Sequence, residues 1–458
     1  MRKGFFALIL AAGKGTRFKS GTIKVLLPML GKSMLSLVLD CAFKLRPEKV
    51  YVVVGSQKEG VIKEAPSGKV EFINQQKQLG TAHAVRAAKD ALNRGKDKDV
   101  LIINGDLPLM TPETLRPLLA LHRKERNSLT FLSAELEDPS GFGRIVQVGD
   151  KIKVIEEREA TASQRRIKEI NAGVYVFKIK DLLEALPKVS NKNKKGEYYL
   201  TDVTEILSQA GKKIGVHKTR NTGDLIGVNS RYELAKAIGD LRDRKIKALT
   251  EKGVTVYDPG TTWIDLDVKI GPETIIYSSV IIEGKSVVGS ECRLYPFVHI
   301  IDSKIGNRVK ILSSTMIEES VIEDEAQVGP FTHFRPKTVI KSKAKVGNFV
   351  EMKNTIFGKK SKAGHLTYLG DCEVKEEVNV GAGTITCNYD GKKKYKTFIE
   401  AGVFIGSGTE LVAPLKVGKK AYIGAGSTIT KNVAPGSLAV ARSKQVERQG
   451  KDPRKKGK

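Results

Sequence analysis

Residues 1–20 read MRKGFFALILAAGKGTRFKS, and the fold turns on how Phe5–Arg17 is taken. Two basic residues ahead of FFALILAA match the charged and apolar regions of a secretory signal. The same residues also suit a buried first strand running into a glycine turn, AAGKGTR, that holds a phosphate. A signal ends in a small-residue cleavage site and leaves a mature chain that stands alone. Cleavage near Ala12 would instead remove the first strand of a sheet whose later strands are all present, and GKGTR is loop chemistry. The strand-and-loop reading is the expectation.

From there to about residue 228, short apolar runs alternate with helical patterns: KVYVVVG, HAVRAAKDALNR, DVLIINGD. In TPETLRPLLALHRKE, Thr111 is placed as N-cap with Pro112 in the first turn. Strands alternating with helices imply a mostly parallel, doubly wound sheet, whose ligands bind beyond the carboxyl ends of the strands. Both AAGKGTR and NGD fall at such ends. SRYELAKAIGDLRDRKIKALTEKG reads as one helix over 230–253.

The rhythm then changes. Apolar residues recur every six positions at Ile270, Ile276, Ile282, Val288, Leu294 and Ile300. The series resumes at Val328 through Met352, and again at Ile405 through Ile429. Gly271, Gly289, Gly347, Gly406 and others follow an apolar member. A hexapeptide period predicts a parallel β-helix of about ten coils, with glycine easing the tight corner. The period lapses at NYDGKKKYK, which predicts an excursion loop of the kind that shapes clefts.

At 458 residues, two or three domains are expected. The 79 Lys and Arg against 51 Asp and Glu give a formal +28, which favours anionic partners. Aromatics, at 6 %, do not interleave with the basic runs, which disfavours nucleic acid. Apolar runs outside the N-terminus are too short and broken for a membrane span. Cys41, Cys292, Cys372 and Cys387 match neither zinc spacing nor a disulfide framework, which fits a reducing cytoplasm. Two phosphate motifs fail: the last position of a dinucleotide fingerprint from Gly13 is Phe18, and a P-loop ending at Gly31-Lys32-Ser33 would need glycine at Leu26.

What remains, LAAGKGTRFKSGTIKVLLPMLGKSML, resembles the signature of sugar-nucleotidyl transferases. With the repeats attached, the chain resembles the bacterial bifunctional N-acetylglucosamine-1-phosphate uridylyltransferases and glucosamine-1-phosphate acetyltransferases. The match is most specific in VGNFVEMKN, KAGHLTYLGD and VNVGAGTITCNYDG. It implies an α/β doubly wound, Rossmann-like nucleotidyltransferase domain at 1–229 and a linker helix at 230–253. A left-handed parallel β-helix acetyltransferase domain follows at 254–445, with a basic disordered tail at 446–458. It also implies a cytoplasmic homotrimer with Mg²⁺, UTP, acetyl-CoA and small sugar phosphates as its ligands.

By resemblance, Leu10, Ala11, Ala12 and Gly13 approach base and phosphates. Lys24 bridges the phosphates with Arg17 in support, and Asp106 with Asn229 holds the metal. Gln75, Gly80 and Thr81 read the uracil, while Gly143, Glu156 and Asn171 contact the sugar. Asn229 by itself would also read as the N-cap of the linker helix. In the second half, His365 is the candidate base that takes the amine proton. By resemblance Arg335 and Lys353 hold the sugar phosphate, while Tyr368 and Asn379 orient the sugar. Ala382, Asn388, Tyr389, Lys394, Ser407, Ala425 and Arg442 match acetyl-CoA contacts. Glu351 is a candidate for tuning the histidine, and His333 reads as structural. Two departures stand out: Ile23 where the family usually has proline, and Ala82 where glycine is common. One rival keeps the architecture with another nucleotide or sugar, such as a thymidylyl transferase. Another is a non-catalytic regulatory subunit, of the kind that joins this fold to hexapeptide repeats in translation initiation.

Overall fold

The run FFALIL is buried along its length, as a strand covered on both faces must be. In the computed structural model, which describes residues 4–449 except 14, 16–17, 19–20, 56–57, 65–67, 150 and 448, it forms the centre of the first sheet. The main strands are β1 (Phe5–Leu10), β2 (Lys49–Val54), β3 (Glu71–Asn74), β4 (Asp99–Asn104), β5 (Leu129–Glu135), β6 (Glu169–Lys178) and β7 (Ile214–Lys218). They lie in the order β7-β5-β6-β4-β1-β2-β3. All neighbours are parallel except β6, which runs antiparallel to both β4 and β5. Phe5, Ala7 and Ile9 enter one core and Phe6 and Leu8 the other, so helices pack on both faces. Thr111 Oγ1 accepts from Thr114 N, and Pro112 opens the helix Pro112–Glu125. Contacts divide the chain into two compact units, Met1–Leu241 and Arg242–Lys458, and the helix Arg231–Thr250 crosses the division.

The second unit is a left-handed β-helix of two- and three-residue strands, with longer ones near His365. On one face Ile264, Ile282, Ile300, Ile317, Phe334 and Met352 stack in parallel register. A second face stacks Ile270, Val288, Ile305, Ile322, Ile340 and Phe357. Their burial in one continuous core holds the coils together, at roughly 1.5–3 kcal/mol for each fully buried aliphatic side chain. The period does not stop at Ile300. It continues through five-residue steps, Ile300 to Ile305 and Ile317 to Ile322. At these tightened corners Ser303 N donates to Ser286 Oγ (3.1 Å) and Ser320 N to Ser303 Oγ (3.0 Å), so the buried amides stay paired. The expected excursion lies between Thr386 and Ile399, with Tyr389 and Lys394 bridged across it. Most of the expected tail falls at 448 and 450–458, outside the described residues.

The glycines act differently from the expectation. Positive φ is taken three residues after the inward side chain, by non-glycine residues such as Glu273, Glu291, Arg308 and Glu325. There the amide of Glu291 donates to Pro272 O and that of Arg308 to Ser290 O, one coil back. The glycine beside the inward residue serves close approach instead. A Cβ on Gly289 would lie 2.5 Å from Gly306 O, which is main chain and cannot move aside. Gly289→Ala is expected to destabilise the β-helix by about 1–3 kcal/mol. Gly239→Ala, on the linker helix with nothing within 4 Å of the added Cβ, is expected to stabilise by about 1 kcal/mol. Paired calorimetric scans check both signs.

Candidate active sites

The carboxyl ends of β1 and β4 open into a cavity of about 450 Å³. Leu10, Ala11, Ala12, Gly13, Lys24, Gln75, Gly80, Thr81 and Asp106 line it, together with Val25, Gln78, Ala84, Asn104 and Glu197. Asn104 stands in the NGD turn already singled out; Gln78 and Glu197 carried no signal. Arg17 lies outside the described residues. Gly55 is needed here, because a Cβ would meet Gln78 Nε2 at 2.7 Å and Ala12 O at 2.9 Å. Buried Gln75 bonds His83 Nδ1 at 2.9 Å, and burial together with Arg86 holds that imidazole below its ordinary pKa.

At the floor, Lys24 Nζ donates to Asp106 Oδ2 at 2.6 Å and to Asn229 Oδ1 at 3.0 Å. Lys24 is 13 % exposed and Asp106 26 %, so a single cation is clasped by two oxygens in a half-dry site. Asn229 is not the helix cap: Ser230 Oγ accepts from Glu233 N, and Glu233 Oε2 accepts from Asn229 N at 2.6 Å. The Asn229 amide is thereby left to face Lys24. One carboxylate and one amide oxygen converging on a cation make a hard-oxygen pair that fits Mg²⁺ with substrate phosphates completing the shell.

Gly143, Glu156 and Asn171 do not line that cavity and gather in a second group. Gly143 pairs with Asn171 in register, and Asn171 Nδ2 donates to Tyr175 Oη at 2.6 Å. Glu156 accepts from Thr201 Oγ1 at 3.0 Å. Glu156 is no ordinary exposed carboxylate, since burial raises its pKa and the Thr201 donor only partly opposes this. Neighbouring Asp202 is pushed up to about 6, by burial first and then by Glu156. A raised carboxylate protonates at a higher pH, so KM for the sugar phosphate is expected to climb, as pH falls, sooner than an ordinary Glu156 carboxylate would make it. Removing the Thr201 donor raises the carboxylate further, so Thr201→Val should move that climb to higher pH in KM-pH profiles.

On the β-helix, parallel register sets Asn348 opposite His365 and Glu351 opposite Tyr368. His365 Nδ1 bonds Asn348 Oδ1 at 2.6 Å. An amide oxygen only accepts, so the ring proton sits on Nδ1 and the Nε2 lone pair is free. Glu351 is committed elsewhere, taking Arg335 Nη1 at 2.9 Å. Asn348 is therefore the histidine's partner, although VGNFVEMKN contains both residues. Lys353, Lys394 and Arg335 converge, and the first two repel strongly enough to hold the Lys353 ammonium below its usual pKa. Asp371 anchors the excursion by taking Asn388 Nδ2 at 2.6 Å. His333 pairs with Glu318, as a structural residue would. Ala382, Ser407 and Ala425 stack on successive coils beyond Val380, Ile405 and Ile423, and Arg442 Nη1 donates to Ala425 O at 2.9 Å. Asn379 lies at the rung of Lys362, and its side chain makes no hydrogen bond among the described residues.

A family model for nucleotidyl transferases matches residues 6–266. "Bifunctional protein GlmU" of Thermotoga maritima is 49 % identical over 444 residues, covering 97 % of this chain and 98 % of that protein. The chain belongs to the bifunctional GlmU family. The proteins of the same name from a Geobacillus species and from Listeria innocua are 46 % and 44 % identical, each over 97 % of this chain and at least 96 % of theirs. A solved UDP-glucose pyrophosphorylase complexed with UDP-glucose aligns at a TM-score of 0.43 and 17 % identity over 53 % of this chain and 99 % of its own, which adds nothing to the assignment. Within the GlmU family the two departures are locally mild. Ile23 adopts φ −60°, the value a proline ring would impose, so the turn presenting Lys24 keeps its shape. Ala82 is fully buried in the core behind the cavity, while Ala84 lines it.

Proposed function

We propose that the chain makes UDP-N-acetylglucosamine in two steps. The β-helix N-acetylates glucosamine-1-phosphate from acetyl-CoA, and the N-terminal unit transfers a uridylyl group from UTP to the product. The observation that carries the reading is the Asn348–His365 bond, which readies a base in a chain whose other half clasps Lys24 between Asp106 and Asn229.

In the first step the sugar amine attacks the thioester carbonyl, His365 Nε2 takes the amine proton and the CoA thiolate leaves. Arg335 and Lys353, with Lys394 beside them, hold the sugar phosphate, and Tyr368 and Asn379 flank the ring. In the second step a phosphate oxygen of the N-acetylated sugar attacks the α-phosphorus of UTP and pyrophosphate leaves. Both reactants are anions, so alignment and neutralisation matter more than proton transfer. Lys24 follows the charge on the phosphates, and the small residues Ala11 to Gly13 leave their amides uncovered for the nucleotide. Asp106 and Asn229 would hold Mg²⁺, which when bound neutralises phosphate charge.

A cytoplasmic trimer is part of the proposal. Phe331, Phe349 and Leu366 are exposed at one corner of successive coils, with Phe331 and Phe349 stacked at 5.4 Å, and Phe297 is exposed at the same corner beyond Ser314. A second copy would cover such a strip. No described helix is long and apolar enough to cross a membrane. The test is a mass spectrum of products from glucosamine-1-phosphate, acetyl-CoA, UTP and magnesium. A UDP-N-acetylglucosamine mass supports both activities together. Acetylated sugar phosphate without nucleotide sugar would retire UTP in favour of another nucleotide. No product at all would favour a regulatory protein of this fold.

A further inference from the structure

The charge excess has one concentrated site away from both reaction centres. At the opposite ends of β1 and β4 from the nucleotide cavity lies a larger one, of about 600 Å³. Six of its nine lining residues are cations: Lys96, Lys98, Arg123, Arg126, Lys178 and Lys180. Across the chain only 79 of 458 residues are Lys or Arg, so this is far above background. Some of these charges are already engaged. Lys98 pairs with Glu48, Arg123 approaches Asp99 at 3.9 Å, and Lys178 Nζ donates to Arg126 O at 2.6 Å. Lys96, Arg126 and Lys180 have no carboxylate partner among the described residues. Asp97 and Asp99 also line the cavity, so its cations outnumber its carboxylates six to two, an excess that an anionic ligand would relieve.

His122, 1 % exposed, also lines the cavity; its Nδ1 shares a hydrogen bond with Thr130 Oγ1 at 3.0 Å, and its Nε2 stands 3.4 Å from Asp99 Oδ1.

We propose that this cavity is a second anion site, which takes a ligand bearing a di- or triphosphate. Three cations without a carboxylate partner at the rim suit several phosphate oxygens, and a lone phosphate would leave most of the space empty. The two cavities are separate, since β4 runs from Asp99 in one to Asn104 in the other, about 17 Å at strand rise.

The test is calorimetric titration of inorganic tripolyphosphate into the full-length protein, Lys24→Ala, and Arg126→Gln/Lys180→Gln. Both exchanged residues of the double variant are exposed, so its fold should hold. Lys24→Ala is expected to keep a saturable, salt-sensitive binding class that the double variant weakens at least tenfold. If Lys24→Ala abolishes all binding, or the double variant binds within twofold of the parent protein, the proposal fails. Repeating the titration with ATP separates sources: tenfold tighter binding marks a nucleotide, and equal binding marks a condensed phosphate alone.

Discussion

His365→Ala should release CoA from acetyl-CoA and glucosamine-1-phosphate about 10²–10⁴-fold more slowly than the parent protein while uridylyl transfer continues. The amine must be neutral to attack and must shed its proton as the amide forms, so a positioned base acts in the rate-limiting region. The Nδ1–Asn348 bond leaves Nε2 as the group that can do this. His365 is exposed on the strand Lys362–Gly370, so its loss removes little packing and the β-helix should melt unchanged. Asn348→Ala is the finer probe. It leaves the imidazole in place and frees its tautomer and tilt, so a roughly tenfold loss with unaltered KM for acetyl-CoA is expected. A His365→Ala protein within tenfold of the parent in thiol release would remove the histidine from the chemistry.

The β-helix was legible because its inward position demands one residue class at a fixed interval, and burial makes that demand hard to evade. The period was lost where serines tightened corners to five residues, because Ser303 and Ser320 replace a residue's worth of backbone with side-chain hydrogen bonds. The glycines were visible, but their reason was not. Close approach of Gly289 to Gly306 depends on the stacking of coils seventeen residues apart, which composition does not display. The antiparallel sense of β6 was hidden for a similar reason, since an apolar run has no direction. At the sites, Lys24, Asp106 and His365 stood in recognisable local strings. Asn348 and Thr201 did not, because each acts through a partner that only register or tertiary folding brings near. Asn229 was legible as a polar residue before a helix, and the neighbouring Ser230 takes the cap.

Lys24→Ala should move two measurements in opposite directions. Uridylyl transfer is expected to fall about 10²–10³-fold, because a preorganised cation in a half-dry site is lost from the phosphates as charge shifts to the leaving pyrophosphate. Acetyl transfer should persist, so N-acetylglucosamine-1-phosphate accumulates in the coupled reaction. Binding of Mn²⁺ without nucleotide, read by electron paramagnetic resonance, should instead tighten. In the parent protein the ammonium already occupies the oxygens of Asp106 and Asn229, at 2.6 and 3.0 Å, so a divalent ion must first displace it. A triphosphate gives that ammonium somewhere to go. Nucleotide should therefore strengthen Mn²⁺ binding in the parent protein far more than in Lys24→Ala, and the same coupling should appear in nucleotide affinity with and without metal. A merely damaged site would lose metal affinity along with activity. Weaker Mn²⁺ binding by Lys24→Ala than by the parent would show that the lysine supports the metal rather than holding its place.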